Sequence, residues 1–294
     1  MSFTNQVFRG LVLSIATLGL VRPASATVLA YWRFDEGTSG NAITSTLDTT
    51  GNAFNALTPH KVNGGVTYGS DVPGPAITDG VTTHSNGTSA RFNGTTLDHL
   101  RGPAPADASL YDNLSSFTLE GFFKAENVSS FGDPTTLFGI WQDSAAGSYG
   151  VHLYQGKVAA VLQTSDNGAG YEILNLSLSP LANNTWYHIA YVHSPGSGQL
   201  YVNYQLVASN NSGKTGTVAY TGGRPMEIGG EQTGVASASR YAFGAWIDNV
   251  RLSNVALSTE QMLHAVPEPC SLSMMLIGVM GIAMFRRKRD VRGR

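Results

Sequence analysis

The sequence predicts an all-β protein, an antiparallel sandwich of two sheets set between two short apolar ends. Three observations predict it. Runs with apolar residues at every second position recur along the chain, its polarity comes from Asn, Ser, Thr and Gly, and helical periodicity is confined to one short stretch. Hydrophobic residues fill 42% of the 294 positions and charged residues only 13%. An ordinary soluble domain carries roughly 25% charged residues. Cys270 is the single cysteine, which excludes an intramolecular disulfide and leaves the fold dependent on its core.

The strands follow in order. "VLAYWRFD" places Val28, Ala30, Trp32 and Phe34 on one face. "FTLEGFFKA" places Phe117, Leu119, Gly121 and Phe123 on one face, and Glu120, Phe122 and Lys124 on the other. "YHIAYVH" and "QLYVNYQLVA" are joined by "SPGSG", a hairpin-type connection. The clusters "TSGN", "TTGNAFN", "SDNGAG" and "NNSGKTG" punctuate the runs as turns. "LSTEQML" is the exception, where Ser258 opens one helical turn and Gln261 reaches back as a capping box. Residues 27–264 have the length of a single β-sandwich domain, and no fixed-period repeat runs through them.

Charge divides the chain unevenly. Residues 27–265 hold ten Lys/Arg against eighteen Asp/Glu, whereas the tail from Val266 holds six against two. An acidic body lacks the basic footprint of nucleic-acid binding, so no nucleic-acid partner is expected.

Both ends read as addresses. Arg9 precedes an apolar run from Gly10 to Val21, and Ala24 and Ala26 are the small residues a signal peptidase requires at −3 and −1. A twelve-residue helix reaches about 18 Å, short of the ~30 Å hydrocarbon core. Residues 1–26 therefore read as a signal helix, with the mature chain beginning near Thr27. The apolar stretch Ser271–Phe285 reaches about 22 Å as a helix and also falls short. Pro267 and Pro269 oppose helix before it, while Arg286, Arg287, Lys288 and Arg289 would hold the C-terminus on the cytoplasmic side. The two ends agree in placing the sandwich outside. Seven Asn-x-Ser/Thr triplets between Asn86 and Asn210 are what an Asn- and Thr-rich chain collects by chance.

Catalytic signatures are sparse, and the chain is expected not to be an enzyme. Glycosidase carboxyls stand roughly 5 Å or 6.5–9.5 Å apart. Glu120 and Glu126 share a strand face at a separation of about 20 Å, and Glu227 and Glu231 would lie about 13 Å apart if extended. No nucleophile elbow, zincin motif or phosphate loop is present. His188 alternates with Trp186 and Ala190 and reads as a structural histidine, and the seven histidines show no metal-ligand spacing. Glycan binding needs aromatics that can stack on sugar rings. Trp141, Tyr149 and Tyr241 flank Gly- and Ser-rich segments and are the candidates.

At this point the order of segments carries a resemblance. "AYWRFDEG", "LDTTGNAFNAL", "SARFNGTTLDHL", "SFTLEGFFKA", "NTWYHIAYVHSPGSGQLYVNYQLVA" and "FGAWIDNVRLSNVALSTEQM" together resemble the laminin-G-like, concanavalin A-like jelly-roll domain of bacterial surface proteins. The resemblance implies two curved sheets and, in many members, a glycan- or protein-binding face. Sugar hydrolases sharing the sandwich carry E-x-D-x-x-E on one strand, which is absent here. It also implies a structural Ca²⁺ between the first loop and the closing strand, with Asp48, Asn52 and Asp248 as candidate ligands and no other cofactor. The same residues read equally well as an Asx-turn at Asp48 and a partner for Arg251 or backbone amides at Asp248.

The tail from Val266 to Arg289 resembles the PEP-CTERM sorting signal of Gram-negative and related bacteria: Pro267-Glu268-Pro269, an apolar stretch, then an arginine cluster. That resemblance implies an exosortase-type transpeptidase as partner, processing near the corner, and transient residence in the inner membrane. Delivery to the cell surface or an extracellular polysaccharide matrix would follow. Cys270 departs from the small residue usual after the motif, and reads as a lipidation point or as a buried thiol. The expected organisation is thus a signal peptide at 1–26, a sandwich at 27–264, and a sorting tail at 265–294 with a short transmembrane helix. The alternatives are a concanavalin A-like glycoside hydrolase and a purely structural matrix protein.

Overall fold

The computed structural model describes residues 27–52, 55–60, 65–94, 98–103, 111, 113–129, 134–140, 149–165, 172–175, 180–210, 215–218, 225–230 and 244–267. The expected signal helix and C-terminal helix lie outside these residues. Among the described residues no helix is long and apolar enough to cross a membrane.

Eighteen strands succeed one another among the described residues. The first seven are β1 (Val28–Trp32), β2 (Thr58–His60), β3 (Thr67–Gly69), β4 (Ala76–Thr78), β5 (Thr83–Ser85), β6 (Ser89–Asn93) and β7 (His99–Arg101). Then come β8 (Phe117–Ala125), β9 (Thr135–Ile140), β10 (Tyr149–Tyr154), β11 (Lys157–Leu162) and β12 (Glu172–Asn175). The last are β13 (Tyr187–Ser194), β14 (Ser197–Val202), β15 (Gln205–Asn210), β16 (Glu227–Ile228), β17 (Gly244–Ser253) and β18 (His264–Val266). One sheet runs β15-β14-β13-β8-β17-β6-β3, with β1 also on β17; the facing sheet runs β12-β11-β10-β9-β16-β7-β2; β18, β4 and β5 form a small third sheet. The antiparallel sandwich predicted from the sequence is the fold observed.

Alternation puts the core between the two large sheets. Phe117, Leu119 and Phe123 of β8 meet Leu137 and Phe138 of β9, Tyr149 and Val151 of β10, and Ile189 and Tyr191 of β13 in one cluster. Ala30, Trp32 and Phe34 join it as expected, although β1 ends at Trp32 and Phe34 reaches inward with φ 59°. The opposite face of β8 is buried as well: Thr118, Glu120 and Phe122 are at most 3% exposed. Ile77 of β4 and Leu263 cover Phe122, while Leu257 and Met262 cover Ala190 and Val192. The chain's closing segment is therefore a lid on the outside of the sheet.

Three boundaries differ from the sequence reading. "QLYVNYQLVA" is two strands, because Asn203 and Tyr204 take φ of 47° and 66° and reverse the chain between β14 and β15. Positive φ at both central residues is the type I′ hairpin requirement, met here without the usual glycine. The turn at Thr259–Gln261 is a 3-10 turn, with Gln261 Oε1 accepting the Ser258 N–H at 3.1 Å. The last strand, β18, ends two residues beyond 264, pairing with β4 through Val266 in the small third sheet.

Gly229 packs directly beneath the ring of Phe92 from β6 of the facing sheet. Its φ is +81°, and a Cβ there would lie 2.2 Å from the Phe92 ring. Gly229→Ala should lower stability by about 3 kcal/mol through overpacking and left-handed strain. That corresponds to a melting temperature roughly 6 to 12 °C lower. Gly87→Ala, with nothing within 4 Å of its Cβ, is the control and should melt as wild type.

Candidate functional site

Three polar centres interrupt the apolar packing. The first lies where β17 changes neighbours. It pairs with β1 over Val250–Ser253 and with β6 over Gly244–Ile247, leaving Asp248 and Asn249 between. Asn249 has φ 50°, and the register against β8 shifts there. The Asn86 side chain fills the gap: its Nδ2 donates to Asp248 Oδ2 at 2.8 Å, and its Oδ1 accepts from Asn249 Nδ2 at 3.1 Å. Tyr31 donates to Asn249 Oδ1 at 2.5 Å.

Asp248 Oδ1 is left buried without a hydrogen-bond partner. Burial first, then the nearby Asp35 charge, push this carboxyl well above the usual carboxylate range, and the Asn86 and Asn249 hydrogen bonds offset this only in part. A starved, fully buried carboxylate oxygen is the kind of group a hard cation satisfies. No three His, Cys, Asp or Glu side chains converge among the described residues. A Ca²⁺ at Asp248 would accordingly draw on amide and carbonyl oxygens as well.

Asp48 does not fit that role. Its Oδ1 accepts from Tyr31 N at 2.8 Å and Thr50 N at 2.9 Å; its Oδ2 accepts from Thr50 Oγ1 at 2.6 Å and Asn55 Nδ2 at 2.7 Å. All of its acceptor capacity is used in an Asx-turn that straps the first loop to β1. Asn55 continues the strap, accepting from Tyr111 Oη at 2.6 Å through its side chain and from Trp32 Nε1 at 2.7 Å through its carbonyl. Asn52 contributes its carbonyl to the Asn55 N–H at 3.0 Å. The expected three-residue calcium set thus divides, with Asp248 in one network and Asp48 in another. Asp248 also does not pair with Arg251.

Arg251 belongs to the second centre, on the lidded face. Glu120 is fully buried. Its Oε1 accepts Arg251 Nε at 2.8 Å and Arg251 Nη2; its Oε2 accepts His188 Nε2 and Leu263 N, each at 2.9 Å. Arg251 Nη2 also donates to Gln261 O at 2.8 Å. His188 stacks on Tyr204 at 4.7 Å, and Tyr204 on His264 at 4.2 Å. Tyr204 Oη donates to Leu263 O at 3.0 Å. Burial alone would raise the Glu120 carboxyl, but Arg251, His188 and the Leu263 N–H together hold it below the usual range. His188 is thus a structural residue within a network that fixes the closing segment. The sequence reading weighed Glu120 only as half of an acid pair.

The third centre is on the outer face of the sheet containing β16. Glu227 Oε1 lies 3.5 Å from His99 Nε2 and 3.6 Å from Arg101 Nε, and His60 meets His99 edge-on at 5.2 Å. Glu227 sits across from Gly139, which sits across from Gly150. Two strands on, Thr136 Oγ1 meets His152 Nδ1 at 3.2 Å, and burial pushes this imidazole down to about 3. His152 is a neutral hydrogen-bonding group at any physiological pH. Glu231, the other half of the sequence-level acid pair, lies outside the described residues.

The stacking candidates fare unequally. Tyr149 is 0% exposed, with its ring 4.7 Å from Phe117 in the core. It cannot stack on a sugar, because its strand position faces the opposing sheet. Trp141 and Tyr241 lie outside the described residues. Ala24, Ala26, Glu268, Pro269, Arg286, Arg287, Lys288 and Arg289 also lie outside, and Pro267 is the last residue described.

The family model described as the concanavalin A-like lectin/glucanases superfamily (Laminin_G_3) matches residues 101–262. No curated protein matches the chain. Among solved structures, domain 4 of AbnA, a GH43 extracellular arabinanase from Geobacillus stearothermophilus in complex with arabinotriose, is 18% identical with a TM-score of 0.55; the match covers 80% of this chain and 96% of that one. The binding domain of Paraclostridial Mosquitocidal Protein 1 is 13% identical, TM-score 0.55, over 80% of this chain and 50% of that one. The binding domain of botulinum neurotoxin DC in complex with SialylT is 12% identical, TM-score 0.53, over 80% and 49%. The chain spans about half the length of these toxin domains.

Glu120→Gln should destabilise the protein at neutral pH by about 3–5 kcal/mol, because Arg251 loses its buried counter-charge. A carboxyl with a depressed folded-state pKa stabilises above its unfolded value, near 4.3, and loses that contribution as pH falls through the folded value. The wild type should therefore lose stability in acid below about pH 4, while the variant's melting temperature changes less over that range. Parallel thermal melts across the acid range measure both.

Proposed function

Because this chain belongs to the concanavalin A-like lectin/glucanase superfamily, we propose that it is an exported, non-catalytic bacterial surface or matrix protein whose sandwich binds glycan. The observation that carries this reading is the order of the chain. An apolar leader ending in Ala24-Ser25-Ala26 precedes the sandwich, and Pro267-Glu268-Pro269, an apolar stretch and Arg286-Arg287-Lys288-Arg289 follow it. Signal peptidase removes the first, and an exosortase-type transpeptidase acts at the second after brief residence in the inner membrane. The likeness to an arabinotriose-bound domain over 96% of that domain supports a sugar ligand. The commitment of Glu120 and Asp48 to structural networks supports binding over turnover. Trp141 and Tyr241 supply the stacking surface. A structural Ca²⁺ at Asp248 pins the junction of β1, β6 and β17.

Intact-mass spectrometry of the protein from fractionated cells tests the export reading. The expected product begins near Thr27, ends near Pro267–Pro269 and is found outside the inner membrane. Retention of the whole tail in the inner membrane would sink the sorting reading. On a glycan array, Trp141→Ala and Tyr241→Ala should each weaken binding by about tenfold, the upper end of an aromatic stacking contribution.

Calcium should raise the melting temperature of the wild type and leave Asp248→Asn unmoved. A carboxyl with a raised folded-state pKa costs stability as pH rises from its unfolded value, near 3.9, through the folded one. In chelator at neutral pH, Asp248→Asn should therefore be the more stable protein. A wild type indifferent to calcium would remove the ion from the reading.

A further inference from the structure

The sorting corner has no linker before it. β18 pairs with β4 as His264↔Thr78, Ala265↔Ile77 and Val266↔Ala76, and Pro267 follows at once. Proline lacks the N–H that would continue the ladder, so the strand stops where the corner starts. The Val266 carbonyl packs so closely on Gly74 that a Cβ there would come within 2.8 Å of it. Peptidases and transpeptidases bind extended chain by strand addition, which requires free backbone N–H and C=O groups on both sides of the bond attacked. On the N-terminal side of this corner, those groups are engaged with β4.

The anchorage is graded. Leu263 is 0% exposed and held through both backbone groups, its N–H on Glu120 and its C=O on Tyr204. His264, Ala265 and Val266 are half-buried and the strand is three residues long; its side chains are held by the His264–Tyr204 stack, by His264 Nε2 donating to the Thr259 carbonyl at 2.8 Å, and by Ala265 packing on Ile77, Phe122 and Leu263. Opening at 264 costs a short edge pairing and a few half-buried side-chain contacts, whereas opening at 263 breaks the fully buried Glu120 network.

We propose that β18 is a gate on tail processing: the strand must peel from β4, hinging after Leu263, before the Pro267–Pro269 corner enters a processing enzyme. The gate rests on the sorting reading above, and it couples release of the tail to local opening of the finished sandwich.

Locking the strand tests it. Opposed residues of an antiparallel pair have Cα atoms about 4.5–5.5 Å apart, within the range a disulfide spans. Ala76→Cys with Val266→Cys, in a Cys270→Ser background, would bolt β18 to β4. Intact-mass spectrometry of protein from producing cells reads the processed fraction. It should fall about tenfold against either single-cysteine control, because the open state is removed, and dithiothreitol should restore it. Processing of the locked chain equal to the controls overturns the gate and leaves the sorting reading standing. A wild type that is never processed overturns the sorting reading, and the gate with it. Thr78→Gly on β4 leaves every tail residue native and provides a second arm should the double variant misfold. It should speed processing about threefold in a pulse-chase, and an unchanged rate also overturns the gate.

Discussion

The carboxylate of Glu120 is the interaction on which the outer half of the structure depends. A buried charge is several kcal/mol unfavourable unless its acceptor positions are filled. Here the donors come from β17, β13 and the closing segment, while the acceptor comes from β8. β8 and β17 pair the two charges, and Glu120 Oε2 is filled only when β13 and the closing segment bring His188 and the Leu263 N–H. The constraint makes the lidded face assemble as a unit, and it explains why a sheet surface that alternation would leave wet is apolar around one ionic knot. Phe122, Ala190 and Val192 are dry because Glu120 holds Leu263 and its neighbours over them.

Two other aspartates show the same chemistry in opposite states. Asp48 is saturated by four protein donors and behaves as a turn residue. Asp248 has the Asn86 amide on one oxygen and leaves the other buried without a hydrogen-bond partner, at a point where a strand exchanges one neighbour for another. The family resemblance made both candidate cation ligands. The number of donors aimed at each oxygen separates them.

Much of the fold was legible because it rests on a period of two. The faces of "FTLEGFFKA" and "YHIAYVH", the inward Trp32 and Phe34, and the back-bond of Gln261 are local properties and appear as read. The Asn203-Tyr204 reversal escaped because a type I′ turn normally announces itself with glycine, and here a tyrosine takes positive φ while its ring stacks between two histidines. The partners of Glu120 and Asp248 escaped because they lie 68 to 162 positions away for His188 and Asn86. No local pattern encodes such distances. Tyr149 was misplaced because a glycine-rich neighbourhood suggested a loop, whereas it begins a strand and faces the core.

The pairing of β1 with β17 has a consequence in time. Thr27 donates to Asn254 Oδ1 and accepts from the Asn254 N–H, and these residues stand 227 positions apart. The ribosome therefore delivers the first strand long before the strand that completes it. Until β17 has emerged, β1 has no partner on it and the larger sheet lacks a central member. A sheet wired this way stays incomplete until β17 is made, and the meeting of β1 with β17 is a long-range, slow contact. Such a protein can be threaded through a narrow pore without first having to be unfolded.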